Sequence, residues 1–253
     1  MRISEIIGLI ESVAPLESQL DFDNSGLLVG DKNCECSKVL VTVDVTLDAV
    51  KYAKEIGANL IVSHHPIIFY PIKNILSSTV DGAIIIEAIR NEITLYASHT
   101  NFDNAKGGIT DGILQHFEVF NATPVYEDGT GRVALIKPMH LEDVARIIRN
   151  ISGDANMRIQ GDMKRLITKM AVINGAGGRD ESLADKLYDS GVELFVTGEV
   201  KHSFALLLKA RGIALIDVGH YHAEKIFNDL MATLISASGV DVVKYYDSNP
   251  YNN

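Results

Sequence analysis

Residues 61–69 read IVSHHPIIF. An apolar run closes on two adjacent histidines, His64 and His65, and then on Pro66. Neighbouring side chains on a strand point to opposite faces of its sheet. Two histidines that serve one site must therefore stand where a strand has just ended and the chain is turning. NLIVS (59–63) is then a short buried strand, with His64 and His65 just beyond its carboxyl end.

Outward from that point, strand and helix patterns alternate. KVLVTVDV (38–45) is a β-rich run, and TLDAVKYAKEIG (46–57) a helix closed by Gly57. TVDGAIIIEAIRNE (79–92) is helical, ITLYAS (93–98) a strand and GGITDGILQHF (107–117) a short helix. Further on, RVALIKP (132–138), LITKMAVI (166–173), ELFVTG (193–198), IALIDVG (213–219) and DVVKYYD (241–247) read as strands. LEDVARIIRNI (141–151), RDESLADKLYDSG (179–191), FALLLKARG (204–212) and AEKIFNDLMATLISASG (223–239) read as helices. This alternation predicts an α/β fold. The turn-rich stretch NATPVYEDGTG (121–131) predicts a boundary between two lobes, 1–124 and 125–253, with the last helix and strand packing back on the first lobe.

Size and charge narrow the function classes. A chain of 253 residues buries a full core as one large or two small domains. A net charge of −10 argues against a nucleic-acid backbone binder, which needs a basic face. No apolar run approaches the ~20 residues that span a bilayer. The start of the chain, with Ile3, Ile6, Ile7, Ile10 and Val13 at helical spacing, reads as an amphipathic helix and not as a signal peptide. A cytoplasmic location is the expectation. Cys34 and Cys36, in NCECS, read as two reduced thiols near a surface turn, since so short a disulfide would be strained.

The histidines are not scattered. His64, His65, His99, His202, His220 and His222 all follow predicted strands, and only His116 and His140 lie elsewhere. In parallel α/β sheets the carboxyl ends of the strands are where ligands bind. The two halves also resemble each other. One carries HH and then His99 with Asp103 four residues on; the other carries Glu199 with His202 and then His220 with Glu224 four residues on. Each half reads as a strand–site–helix–strand–site unit. The longer connection in the first half holds FYPIKNILSS (69–78), a candidate lid.

Histidine and carboxylate without thiolate suit Zn, Fe, Mn, Ni or Co more than Mg or Ca. The set exceeds the needs of one ion and fits two, about 3.5–4 Å apart, which would activate a water. His220 and Glu224 at i, i+4 share a helical face and reach one ion if Tyr221 begins the helix. Taken singly, Asp103 is equally an Asx-turn residue and Glu224 a first-turn acid opposing a helix dipole. The reading rests on the set. INGAGGRDE (173–181) lacks the third glycine of a dinucleotide fingerprint and the GK[ST] of a P-loop. It reads as a tight strand-to-helix turn, with an anion contact at the helix N-terminus as the alternative.

The stretches DFDNSGLLVGD (21–31), TVDVT (42–46), VSHHPIIF (62–69), SHTNFDNAKGG (98–108), TGEVKHS (197–203) and GHYHAE (219–224) resemble the NIF-three-like dinuclear metal proteins, the GTP cyclohydrolase 1 type 2 homologues. The resemblance runs in order from about residue 1 to 247 and matches the family's short form. It implies two similar α/β lobes with mixed sheets, a two-metal site in the cleft between them, and a ring-shaped homohexamer. It implies His64, His65, Asp103, His220 and Glu224 as metal ligands, with His99, Glu199, Lys201 and His202 lining the cavity. Two positions depart from the family pattern: Phe22 stands where Trp is frequent, and Ser203 where a second His is frequent. The expected function is a metal-dependent hydrolase acting on a nucleotide or another small phosphorylated substrate, with His99 or His202 as general acid or base. The alternative is a non-catalytic carrier that delivers iron or another divalent ion to a cofactor or partner.

Overall fold

The computed structural model describes residues 1–153, 156–178, 181–247 and 250–251. Arg179 and Asp180, placed by the sequence in the Gly-rich turn and at a helix start, lie outside the described residues. In chain order the first elements are α1 (Ile3–Val13), β1 (Gly26–Val29), β2 (Val39–Thr42), α2 (Leu47–Glu55), β3 (Leu60–Ser63), α3 (Val80–Arg90), β4 (Thr94–Ala97) and α4 (Thr100–Asn104). Then follow α5 (Ile109–Leu114), β5 (Val119–Thr123), β6 (Arg132–His140), α6 (Leu141–Ser152), β7 (Arg158–Gln160), β8 (Leu166–Ile173) and α7 (Leu183–Asp189). The last are β9 (Leu194–Thr197), α8 (His202–Ala210), β10 (Ala214–Asp217), α9 (His220–Glu224), α10 (Ile226–Ser236) and β11 (Val242–Lys244).

The chain forms two compact units, one of Met1–Lys106 with the segment that begins at Phe227, the other of Gly107–Ile226. The turn-rich 121–131 stretch lies inside the second unit, where it joins β5 to β6.

In the first unit the sheet order is β1-β4-β3-β2-β11. Strands β4, β3, β2 and β11 are parallel, and β1 runs antiparallel on the β4 edge. Every residue of β2, β3 and β4 is buried. Burial on both faces is what a parallel sheet covered by helices requires, and it explains why VLVT, LIVS and TLYA read as continuous rather than alternating apolar runs. On one face Leu40, Ile61 and Leu95 pack with Ala49, Val50 and Ala53 of α2 and Ile84, Ile85 and Ala88 of α3. Thr46 caps α2 by accepting from the Ala49 N–H at 3.1 Å.

In the second unit the order is β5-β6-β8-β9-β10-β7. Strands β8, β9 and β10 are parallel, while β6, β5 and β7 enter antiparallel. Ala171, Phe195 and Leu215 pack there against Leu183, Ala184 and Leu187 of α7 and Phe204 and Leu208 of α8.

The two sheets share one plan. An antiparallel edge strand precedes three parallel strands, β1-β4-β3-β2 in one and β7-β10-β9-β8 in the other. The same backbone bond ties the strand ends in each: Ser98 donates to the Ser63 carbonyl at 2.9 Å, and Val218 to the Thr197 carbonyl at 2.9 Å. The expected α/β class, with two similar units of mixed sheet, is the fold adopted. Details differ. The 38–45 strand stops at Thr42, because the Thr42 hydroxyl donates to the Asp44 carbonyl at 3.0 Å and turns the chain. The 223–239 helix is divided at Lys225 into α9 and α10. Among the described residues no helix is long and apolar enough to cross a membrane.

Candidate metal centre

In the first unit the site grows from the ends of β2, β3 and β4. Beyond Ser63 the chain turns: His64 N–H donates to the Thr42 and Val43 carbonyls, both at 3.1 Å, and His65 N–H to Val43 at 2.9 Å. The two rings therefore do not diverge to opposite faces. Their centroids are 4.9 Å apart and their planes 45° inclined. His99 joins them from the end of β4, its ring centroid 5.0 Å from that of His64 and 5.4 Å from that of His65. One ligand atom from each of His64, His65 and His99 lies within 4.8 Å of the others. Asp103, on α4, brings Oδ1 to 3.7 Å from His64 Nε2. His64 is fully buried.

Each ring is held by its other nitrogen. Nδ1 of His64 faces the Ser98 carbonyl at 3.1 Å, Nδ1 of His65 faces Asp44 Oδ1 at 2.8 Å, and Nδ1 of His99 faces Asp23 Oδ1 at 2.8 Å. A carbonyl or carboxylate can only accept, so Nδ1 carries the proton and Nε2 keeps its lone pair. Asp23 is itself clamped, accepting from the Thr100 N–H at 3.0 Å and the Thr100 hydroxyl at 2.5 Å. Burial pushes its carboxyl up, but the hydrogen bonds from His99, Thr100 and Asn24 outweigh this and hold it well below the usual carboxylate range.

The second unit builds a half-site from β8, β9 and β10. Helix α9 starts at His220 itself, not at Tyr221, after Gly219 turns the chain with φ +84°. His220 Nδ1 lies 3.0 Å from Glu199 Oε2, and its Nε2 lies 3.2 Å from Glu224 Oε2. Glu224 is buried, so an adjacent positive charge is what its carboxylate requires. The Gly-rich turn after β8 has its composition for a reason visible here. A Cβ on Gly175, whose φ is +54°, would stand 2.5 Å from Glu224 Oε1, and one on Gly198 would stand 3.1 Å from His220 Cα. Glycine at these two positions lets α9 seat its carboxylate against the strand ends. For Gly175 this is the tight turn that the motif predicts.

Other sequence candidates are placed differently. Lys201 stands at the start of α8 and His202 opens it, both exposed, and His202 joins none of the groups of ligating atoms found among the described residues. His222 turns its Nδ1 to the Ser152 carbonyl at 3.1 Å, and His140 to the Lys164 carbonyl at 2.7 Å. Cys34 and Cys36 are in no disulfide, and burial pushes the Cys36 thiol up to about 11. Asp44 and Asp23 were missed as functional residues by sequence reasoning. Both lie in stretches that carry the family resemblance, but nothing in their spacing shows that they aim histidines.

The donor chemistry fits divalent transition metals. Four imidazoles present Nε2 while Nδ1 is tied to oxygen, and buried or half-buried carboxylates stand beside Nε2 in both units. That is the outer-layer arrangement metal-ligating histidines require. Comparison with known proteins places the chain in a family. Residues 1–250 match the family model Duf34/NIF3 (NGG1p interacting factor 3). A Clostridium perfringens protein named GTP cyclohydrolase 1 type 2 homolog is 37% identical over 231 residues, covering 88% of this chain and 87% of its own. A Lactococcus lactis protein of the same name is 30% identical over 257 residues, covering 100% and 98%. Among solved structures, a Bacillus cereus protein related to NIF3 superposes with a TM-score of 0.87 at 21% identity over 100% of this chain and 99% of that one, a likeness of fold. Reduced HcgD from Methanocaldococcus jannaschii gives a TM-score of 0.85 at 27% identity over 96% and 97%. With the family model spanning both units and every stretch from which the resemblance was read, this chain belongs to the Duf34/NIF3 family.

Proposed function

We propose that this chain is a dinuclear metal-dependent hydrolase acting on a nucleotide or another small phosphorylated substrate. His64, His65 and Asp103 of the first unit and His220 and Glu224 of the second would together hold two divalent ions of the Zn, Fe, Mn, Ni or Co class. The observation that carries this reading is the shared anchoring of Nδ1, which leaves Nε2 of His64, His65 and His220 as lone-pair donors. Two such ions supply a Lewis-acid field that makes water nucleophilic near neutral pH. His99, its Nδ1 proton held by Asp23, takes or gives a proton at Nε2. His202 is the second candidate for that role. Lys201, at the exposed N-terminus of α8, adds positive charge where phosphate oxygens are favoured. Glu199 orients His220. The relatives' name, GTP cyclohydrolase 1 type 2 homolog, makes a purine nucleotide the first substrate to test. A ring-shaped homohexamer is the assembly this reading carries.

The test is metal content and turnover on one preparation. Bound metals are quantified, and nucleotides and phosphoesters are assayed with added Mn, Zn or Fe. Two ions per chain and metal-dependent turnover lost in His64→Ala support the hydrolase. Two ions without turnover on any substrate make the chain a metal carrier. No more than one ion per chain under saturating supply ends the dinuclear reading.

A further inference from the structure

The first unit exposes aromatic rings beside its histidines. Phe22 is 63% exposed and Tyr70 75% exposed, while Phe69 between them is half-buried. Ring centroids are 6.2 Å apart for Phe22 and Phe69 and 4.8 Å for Phe69 and Tyr70, and Phe69 lies 6.1 Å from His99. Phenylalanine has no polar group to satisfy in water, so an exposed ring such as Phe22 on a loop would ordinarily fold inward. Here the loops are pinned. Asn24 Nδ2 donates to the Ile68 carbonyl at 2.6 Å, joining the Phe22 loop to the Phe69 loop. The Leu20 N–H donates to Thr100 Oγ1 at 3.0 Å, and Asp23 is held by His99 and Thr100. Phe22 thus sits between two fixed residues, one of which orients His99. The planes of Phe22 and Phe69 are inclined by 54°, so neither ring covers the face of the other.

We propose that Phe22 and Phe69 form a preorganised stacking platform for the planar heteroaromatic ring of a ligand whose phosphorylated end reaches the metal half-site. This deepens the hydrolase reading and rests on it for the ligand's other end. Stacking on fixed rings is favourable for any flat base, because no ring has to be ordered on binding. The continuity of Phe69 with His99 is what distinguishes the pair from scattered surface apolar residues such as Ile89.

The chain contains no tryptophan, so Phe22→Trp installs a single fluorescent reporter in the platform. Guanosine monophosphate and ribose 5-phosphate serve as probes, titrated with metal content measured on each sample. The expected result is quenching of that reporter by guanosine monophosphate and not by ribose 5-phosphate. In Phe69→Leu and Phe22→Leu, affinity for guanosine monophosphate falls about tenfold, with ribose 5-phosphate binding and metal stoichiometry unchanged. Equal affinity of wild type for both probes, no binding of guanosine monophosphate, or no change in the Leu variants overturns the platform. A change of oligomeric state in the Leu variants, without loss of guanosine monophosphate, assigns the rings to a second copy of the chain instead. Absence of bound metal in wild type and in Phe22→Trp would overturn the hydrolase reading, while base quenching in Phe22→Trp stays readable.

Discussion

Asp44→Asn isolates the anchoring of a single proposed ligand, His65. Asp44 Oδ1 lies 2.8 Å from His65 Nδ1, and its side chain is 46% exposed. The substitution keeps the shape and removes the charge. The Asn amide then offers either a weaker neutral acceptor or, flipped, a donor facing Nδ1–H. The flipped amide favours the tautomer with its proton on Nε2, where the ion is to bind. Losing such an outer partner costs about 10–100-fold in metal affinity, or about 1.4–2.8 kcal/mol. The apo fold hardly notices, because an exposed side chain outside a buried network changes stability by about 0.5 kcal/mol or less. Asp23→Asn is the contrast. That side chain is fully buried and satisfies the Thr100 N–H, the Thr100 hydroxyl and His99. Breaking that network costs the apo protein about 2–4 kcal/mol. The assay is calorimetric titration of metal-free protein with Zn or Mn against a competing chelator, beside thermal unfolding of the same apo samples. Wild-type affinity for both ions in Asp44→Asn, with binding lost in His65→Ala, would refute the claim that Asp44 matters through His65. So would an equal loss of apo stability in the two Asn variants.

Gly175→Ala puts a Cβ 2.5 Å from Glu224 Oε1 on a backbone with φ +54°. It should cost about 1–3 kcal/mol and lower metal uptake together, read by thermal unfolding and metal analysis. Glu193 accepts from the Thr168 N–H at 2.6 Å and the Lys169 N–H at 3.1 Å; partial burial pushes its carboxyl up, but these bonds outweigh it and hold it below its ordinary value. Its stabilisation is therefore complete above about pH 4.3 and is lost as pH falls through the lowered folded-state value. Glu193→Gln should cost about 1 kcal/mol at pH 7 and flatten the acid limb of stability against pH, measured by denaturant titration. With its thiol raised to about 11, Cys36 should react with a thiol reagent at pH 8 far more slowly than an unperturbed cysteine. Replacing Cys34 and Cys36 with Ser should leave metal stoichiometry unchanged.

The parts of the fold legible in the sequence were those whose burial is complete. NLIVS, ITLYAS, ELFVTG and IALIDVG announce themselves because parallel strands covered on both faces must be apolar throughout. Strand β7 has only three residues, none of them fully buried, and β5 is exposed over most of its length. Neither carries a period to detect, and both exist because β10 and β6 offer them an open edge. Helix α4 has five residues and no apolar stripe long enough to read. The histidines were visible because their type and position coincide at strand ends. Their carboxylate partners were not, since Asp44 and Asp23 approach from loops that only the folded sheet brings near.

Strand register also corrects the apparent repeat. Ser63 pairs with Ala97 in the first sheet and Thr197 with Asp217 in the second, which makes these pairs equivalent. His65 then corresponds to Glu199, and His99, two residues beyond Ala97, corresponds to Gly219 rather than to His220. The shared spacing of His99 to Asp103 and His220 to Glu224 conceals a one-residue offset. The second half absorbs it at Gly219, whose φ of +84° an L side chain would resist. His99 donates its ring N–H to Asp23 in its own unit, whereas His220 is held by Glu199, the register counterpart of His65. Positions equivalent in the fold therefore carry different chemistry: an imidazole at the end of β3, and at the end of β9 the carboxylate that aims one. This asymmetry supports separate assignments, with His220 as a ligand and His99 as the group that moves a proton.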